Sequence, residues 1–439
     1  YYNGEQLEAF NALVDEFNST VGKEQGITVE SSSHGSVTDL ENNVLASAEG
    51  KVGAEAMPNI FSAYADTAYA LDEMGQIADL SDYLSEEDRA AFIEDYLSEG
   101  DFSGSGSIKI FPVAKSAELL FLNETDWEPF AAATGATYDD LATIEGLVSV
   151  AERYYEWTDA QTPDIPNDGR AFFGRDAMAN YMLIGAKQLG CTIFDAQDSS
   201  MTLNFDHDTV RTLWDNYYVP FIKGYFSASG RFRSDDVKTG NIIAYVGSSS
   251  SATFFPTQVI ADDMDSHDIT RKALESPKFA DGEDYAVQQG AGMVIINKSD
   301  AQVEAAARFL KWFTQSDWAI EFSVSSGYLP VTVADNDMVK IENSSPSMKK
   351  GVRKSLNTAV QTVKANTLYT TRAFETGTQA RKKLEYAMSD AAQADRAAVG
   401  EALQGGATLE EATAEFVSEE RFDAWYTQLM NELSEIVGQ

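Results

Sequence analysis

Gln289-Gly290-Ala291-Gly292-Met293-Val294-Ile295-Ile296-Asn297-Lys298-Ser299, the helical run from Asp300 to Phe313, and then Ser326-Gly327-Tyr328-Leu329-Pro330-Val331 form the stretch whose reading decides the fold. The run Gly290 to Ile296 is apolar without alternation, as expected of a strand covered on both faces. Ser299 and Gln302 have the S-x-x-Q spacing of a capping box, so a helix is expected from there. Val303, Ala306, Ala307, Leu310 and Phe313 recur at helical spacing and supply its buried stripe. The turn Gly327-Tyr328-Leu329-Pro330 then sets an aromatic hydroxyl on a bend stiffened by proline, where it can face a cleft. A buried strand followed by a helix that packs on it is the repeating unit of an α/β protein.

Outward from this stretch the pattern persists. Leu7, Phe10, Leu13, Val14 and Phe17 mark a first amphipathic helix, and Gly26-Ile27-Thr28-Val29 reads as a strand. A helix through Leu40 and Val44, a strand over Asn59 to Tyr64 and a helix through Ala68, Leu71 and Met74 continue what reads as a βαβ series. Ile108 to Val113 and Glu118 to Asn123 read as a strand pair. Residues 124–284 are mostly helical, with stripes through Leu147, Val150 and Tyr154 and through Val210, Leu213, Tyr217 and Phe221. Near the C-terminus Gly405-Gly406 separates a helix around Asp395 to Leu403 from one over Leu409 to Val437, both expected as a solvated outer layer.

A chain of 439 residues exceeds what one core organises, about 250 to 300 residues, so two lobes are expected. Its 32 Lys and Arg against 70 Asp and Glu give a net charge of −38, which disfavours nucleic acid and anionic membranes as partners. No apolar run reaches the roughly 18 residues of a membrane span. Cys191 is the single cysteine, so there is no internal disulfide. His34, His207 and His267 lie far apart without metal-ligand spacing, so no metal is expected. No Walker-type or dinucleotide loop and no recognisable acid–base or nucleophile motif occurs, so no cofactor and no catalytic residues are expected.

The Gly290–Ile296 strand, the helix after Ser299 and the Gly327-Tyr328-Leu329-Pro330 turn, in that order, resemble the extracellular solute-binding proteins of ABC importers for carbohydrates and glycerol phosphate. The Ile108–Val113 and Glu118–Asn123 segments resemble that family's crossover. The resemblance implies an α/β, two-lobe, type II periplasmic-binding-protein-like fold with an interlobe cleft and a hinge near Asn123. It places the first lobe at 1–123 and 285–335 and the second at 124–284 and 336–439. In the family a strand precedes the first helix, and here only Tyr1-Tyr2-Asn3 can supply it. The implied protein is a monomer that binds a small-molecule solute by hinge closure and delivers it to a membrane permease. It would be extracellular or periplasmic, lipid-anchored through an N-terminal segment already removed.

Four places can carry ligand chemistry. The strand Asn241 to Gly247 ends in Ser248-Ser249-Ser250-Ser251, a turn that can present hydroxyls and main-chain N–H groups to a phosphate or a sugar, or serve as an ordinary helix cap. Arg372, in Tyr369-Thr370-Thr371-Arg372-Ala373-Phe374, can grip an oxyanion with two N–H groups or form a surface ion pair. Tyr328 is either a ligand contact or a buried tyrosine. The turn Val113-Ala114-Lys115-Ser116-Ala117 can offer a hydroxyl and a point charge, although most lysines point to solvent.

The resemblance adds detail to these four. Glycerol-phosphate relatives use serines at the 248–250 turn and a late arginine like Arg372. They tend to have Asn-Ser-Ser-Thr where this chain has Ala114 and Lys115, and a glutamate where it has Ala65, for which Asp66 can substitute. Gly290 and Ser116 complete the candidate set; His34 lies where relatives often place an aromatic contact. Trp157, Tyr225, Phe226, Phe254 and Phe255 are the aromatics of the second lobe in loop-like positions, two or three of which can stack on sugar. The serine turn, Lys115 and Arg372 lean toward a phosphorylated polyol such as glycerol 3-phosphate, and Ala65 and Ala114 toward a neutral mono- or oligosaccharide. An enzyme and a non-transport surface protein are the competing classes.

Overall fold

The computed structural model describes residues 2, 4–197, 200–260 and 266–438. Of the Tyr1–Asn3 segment expected as a short strand, Tyr1 and Asn3 lie outside the described residues. The chain divides into two compact units: Tyr1–Ala117, Gln288–Lys364 and Leu368–Thr378 in the first, Glu118–Val287, Ala365–Thr367 and Gln379–Gln439 in the second. These boundaries fall at 117/118 and 287/288 instead of 123/124 and 284/285. The chain from 336 to 364 and from 368 to 378, expected in the second lobe, groups with the first.

In the first unit the strand Gly292–Ile295 is buried along its whole length and pairs with Ile60–Ala63, Ile60 opposite Ile295 and Ala63 opposite Gly292. The pairing is antiparallel, so the expected βαβ series is not a run of parallel neighbours. Leu40, Val44, Leu71, Ile110 and Val294 close the core around this pair. The helix Asp300–Phe313 forms as read, burying Val303, Ala306, Ala307, Leu310 and Phe313. Its start differs. The Ser299 hydroxyl donates to Gln302 Oε1 at 3.2 Å and caps no main-chain N–H, so the S-x-x-Q box is not made. Phe17 of the helix Gly4–Ser19 packs edge-on against Phe309 and Trp312, tying the first helix to this one.

Two expected strands are absent among the described residues. Val29 lies in no strand; its N–H and C=O both bond the Asn18 side chain at 2.8 Å, so a side chain takes the place of a neighbouring strand. Ile108 to Val113 makes only single bridges such as Phe111 to Met293, because Pro112 has no N–H with which to continue a ladder.

The second unit is built on a four-stranded sheet in the order Phe173–Arg175, Ala244–Ser248, Glu118–Asn123, Arg271–Glu275. The first pair is parallel and the others antiparallel. All six residues of Glu118–Asn123 are buried, as a central strand requires. The helices Ile144–Asp159 and His207–Ile222 carry the predicted stripes. The first terminal helix is longer than expected, Gly377–Gln404, while the stretch expected as one helix from Leu409 is split into Leu409–Thr413 and Glu419–Val437; the two long helices each bury one face while leaving the other to solvent. Trp425 meets Trp214 of the His207–Ile222 helix at 4.6 Å, and Asp395 accepts from Tyr218 and Arg421.

Candidate functional site

In the second unit the chemistry gathers where the two parallel strands end. Because Phe173–Arg175 and Ala244–Ser248 run in the same direction, the segments that leave them open at one edge of the sheet, the edge at which α/β sheets bind ligands. Asp176 follows the first strand, and its N–H donates to Val246 O at 3.0 Å. A Cβ on Gly247 would lie 3.1 Å from Asp176 Oδ2, so the glycine lets the carboxylate rest on the neighbouring strand. Ala177 is left-handed (φ 52°, ψ 67°), a conformation costly for a residue with a Cβ, and starts the helix Met178–Gln188. That strained corner aims Asp176.

Burial pushes the Asp176 carboxyl up to about 6 from its ordinary 3.8, against Arg233, which lowers it, while Glu118 and Asp236 add to the rise. Its Oδ1 accepts from the Arg233 N–H at 3.2 Å. Beside it, Glu118 is buried and bonded by Arg175 and, at 2.9 Å, by Asn180. Burial raises the Glu118 carboxyl, and the charge and hydrogen bonds of Arg175 and Asn180 oppose the rise.

The serines stand at the same edge. Ser248 caps a 3₁₀ helix of six residues, Ser249–Phe254, at the turn that the sequence offers as a ligand site or an ordinary helix cap. Ser248 Oγ accepts from the Ser250 N–H at 3.3 Å and lies 2.9 Å from Ser250 Oγ, while Ser251 Oγ donates to Ser248 O at 2.7 Å. Ser249 is buried. Part of this hydroxyl cluster therefore serves the turn, with Ser248 and Ser250 half-buried beside it. Phe254, at its end, is 65% exposed. Trp157, Tyr225, Phe226 and Phe255 pack against other rings instead.

In the first unit, three of the predicted segments come together. Lys115 exchanges main-chain hydrogen bonds with Leu329, and the Ser116 N–H donates to Gln289 O at 2.9 Å, so the 113–117 turn lies between the Gly290 strand and the Tyr328 bend. Lys115 neither points to solvent nor offers an open charge. It is fully buried, ion-paired with the buried Glu99, and its Nζ donates to Gly290 O at 2.7 Å. Ser116 is also buried. Gly290 is left-handed (φ 100°), and a Cβ there would lie 3.1 Å from Ala114 O.

Tyr328 is buried. Its ring stacks on Phe322 at 6.3 Å and meets Tyr2 edge-on, the packing role weighed against ligand contact. Arg372 donates through Nε and Nη2 to Phe102 O at 3.0 and 2.6 Å, so two of its N–H groups hold the chain near Gly104. Asp66 lies in the first turn of the helix Ala65–Glu73 with its carboxylate against Gly377, where a Cβ would be 2.3 Å away. Tyr64, just before it, is 45% exposed. His34 bonds Asn43 at 3.0 Å.

Sequence reasoning missed Asp176, Glu118 and Arg175. The signal was the charged pair Arg175-Asp176 closing the apolar run Ala171-Phe172-Phe173-Gly174, a strand followed at once by a helix. It also missed that His207 meets Glu419 and Asp423 in space, the one His-containing group among the described residues spaced to hold a cation. Arg211 already pairs with Glu419, and His207 with Asp423 at 2.9 Å, so the group is an exposed ion-pair network.

The family of bacterial extracellular solute-binding proteins matches residues 12–346, and the chain belongs to that family. Solved structures similar to it include the cyclic α-maltosyl-1,6-maltose binding protein of Arthrobacter globiformis, at 17% identity and TM-score 0.69 over 100% of this chain and 98% of that one. UgpB of Mycobacterium tuberculosis, solved with glycerophosphocholine, is similar at 18% identity and TM-score 0.68 over 98% and 95%. The maltose/maltodextrin-binding domain MalE of Bdellovibrio bacteriovorus, bound to maltotriose, is similar at 13% identity and TM-score 0.63 over 98% and 97%. No curated protein matches the chain by sequence. Identities this low establish the two-unit, type II binding-protein fold. The family is one of extracellular binding proteins, and no helix among the described residues is long and apolar enough to cross a membrane.

Proposed function

We propose that this protein is the substrate-binding component of an ABC importer and that its solute is a neutral sugar, a mono- or oligosaccharide, captured by hinge closure and handed to a membrane permease. The observation that carries the choice of ligand is the edge where Asp176 rests on the strand that leads into the half-buried Ser248 and Ser250, with Phe254 exposed at the end of the same short helix. A carboxylate accepts from sugar hydroxyls, serines exchange hydrogen bonds with them, and an aromatic face covers the apolar side of a pyranose. Two similar folds bind maltose-type sugars by name.

The cations expected to hold a phosphate have other work, Lys115 on Glu99 and the Gly290 carbonyl, Arg372 on the Phe102 carbonyl. A phosphorylated polyol is the second reading, favoured by the likeness to a glycerophosphocholine-bound fold. Thermal shift and calorimetry with maltose, maltotriose, glycerol 3-phosphate and glycerophosphocholine decide between them, since a ligand at about a hundred times its dissociation constant adds ~2.7 kcal/mol. Stabilisation by neutral sugars is expected. A response to phosphorylated compounds alone overturns the sugar reading, and no change in scattering radius with a bound ligand overturns hinge closure.

A further inference from the structure

The corner that carries Asp176 has no cap of its own. The first N–H groups of a helix find no partner within it, and an N-cap side chain normally accepts from one of them. Ala177 stands at the N-cap of Met178–Gln188, where its methyl group accepts nothing, and it is left-handed as well. The missing acceptor comes from 206 positions along the chain: Glu385 Oε2 accepts from the Ala179 N–H at 2.7 Å. A carboxylate in this place also suits the positive end of the helix dipole. Glu385 lies on the helix Gly377–Gln404, and Arg381, one turn before it, donates through Nη1 to Asn180 Oδ1 at 3.5 Å. Asn180 in turn donates through Nδ2 to the buried Glu118 at 2.9 Å. One distant helix thus holds the first turn after Asp176 at two successive residues, while the Asp176 N–H is fixed to Val246 O on the other side of the bend.

We propose that Glu385 is a positioning residue for the solute site: by accepting from the Ala179 N–H it fixes the left-handed Ala177 corner and, through it, the direction of the Asp176 carboxylate. The inference rests on the sugar-binding reading for what Asp176 binds, and on this geometry for what Glu385 does. A left-handed residue with a Cβ persists only where its surroundings over-determine it. Release of the Ala179 N–H leaves the bend pinned at Val246 alone, so the first turn relaxes and Asp176 moves from its rest on Gly247 toward water. The effect is one of reach and not of charge. Arg233, Glu118 and Asp236 are the charges that act on Asp176, whereas Glu385 acts on Glu118 and Tyr217.

Three substitutions separate reach from charge. Glu385→Asp keeps the charge and loses a methylene of reach, Glu385→Gln keeps the reach and an acceptor oxygen without the charge, and Glu385→Ala keeps neither. Glu385 is half-buried, so the first two are small changes at a partly solvated place. The first measurement needs no sugar: ¹³C NMR titration of the Asp176 carboxyl in the whole chain. The carboxyl, at about 6 in the parent, should fall back toward 3.8 in Glu385→Asp and Glu385→Ala as water reaches it, and stay near its parent value in Glu385→Gln. The second is calorimetry with maltose. Glu385→Asp should bind about tenfold more weakly, Glu385→Gln should recover most of the affinity, and Glu385→Asp should add no further loss to Asp176→Asn. An unchanged Asp176 titration in Glu385→Asp, or a Glu385→Gln variant that behaves like Glu385→Asp, overturns the proposal. So does an equal loss of affinity with and without the Asp176 carboxylate, which would place the action of Glu385 elsewhere. Failure of maltose to bind the parent bears on the choice of solute alone, and the titration still decides the role of Glu385.

Discussion

Replacing Asp176 by Asn separates what this residue does for the fold from what it does for a ligand. Its carboxyl titrates at 3.8 in the ordinary state and about 6 in the folded one, mainly because burial penalises the charge. The folded chain therefore keeps the proton to higher pH than the unfolded chain. The stability linked to this group is complete below 3.8 and is lost as pH rises through about 6. Between about pH 5 and about pH 7.5 the loss is roughly 1.4 kcal/mol, the integral over that range of the difference in bound protons between the unfolded and folded chains. Asparagine keeps the oxygen that accepts from the Arg233 N–H and carries no charge at either pH. The variant should thus gain on the parent by about 1.4 kcal/mol between the two conditions, read as the difference of urea unfolding free energies so that other titrating groups cancel. The same substitution should weaken sugar binding by about 1 to 3 kcal/mol, because a charged acceptor facing a sugar hydroxyl becomes an amide. A stability difference between variant and parent that is the same at both pH values would refute the assignment of a raised carboxyl to Asp176.

Lys115→Ala should destabilise the first unit by about 3 to 5 kcal/mol in urea unfolding, since Glu99 would be left buried without its partner, and the joint change Lys115→Met with Glu99→Met should recover most of the loss. A small effect of the single change would mean that water reaches the pair. Gly290→Ala should cost about 1 to 3 kcal/mol, because φ 100° strains any residue with a Cβ and Ala114 O is 3.1 Å from its position; an unchanged melting temperature speaks against that geometry. Phe254→Ala should leave stability within ~0.5 kcal/mol, as the ring is 65% exposed, yet lower sugar affinity by about 1 kcal/mol in calorimetry; equal affinity removes Phe254 from the site. Arg372→Ala should lower stability by about 1 to 2 kcal/mol through the Phe102 carbonyl without altering sugar affinity, and a selective loss of phosphorylated ligands would restore Arg372 to an anion-binding role.

The elements read correctly from sequence are those whose pattern carries its own solvent boundary. A continuous apolar run such as Gly292–Ile295 has no polar face to show water, and the stripe from Val303 to Phe313 has only one face to bury, so both declare their environment locally. Extended segments without such a pattern need a partner, and whether one arrives is a property of distant chain. Val29 found Asn18, and Phe111 found only a single bridge to Met293, so neither segment became a strand. The Ser299-Gln302 spacing allowed a capping box, but the hydroxyl bonded a side-chain oxygen instead.

The site divides in the same way. The glycine-serine turn after an apolar strand could be found by inspection, whereas the nearness of the 113–117 turn to Gly290 and Tyr328, which lie far along the chain, appears only in the structure. The fates of those side chains could not be read, because burial of a lysine depends on whether a carboxylate, here Glu99, is delivered to it by the fold. Amino-acid sequence alone determined the α/β class, the division into two bodies and the serine turn, because periodicity, length and turn chemistry are local or additive quantities. Tertiary structure alone decided that Asp176 stands beside Ser248 with a raised pKa, that Lys115 and Arg372 are occupied, and that Glu385 reaches the first turn of the helix after Asp176. Each of those depends on desolvation and on distances between residues far apart in the chain, and neither quantity exists until the strands have paired.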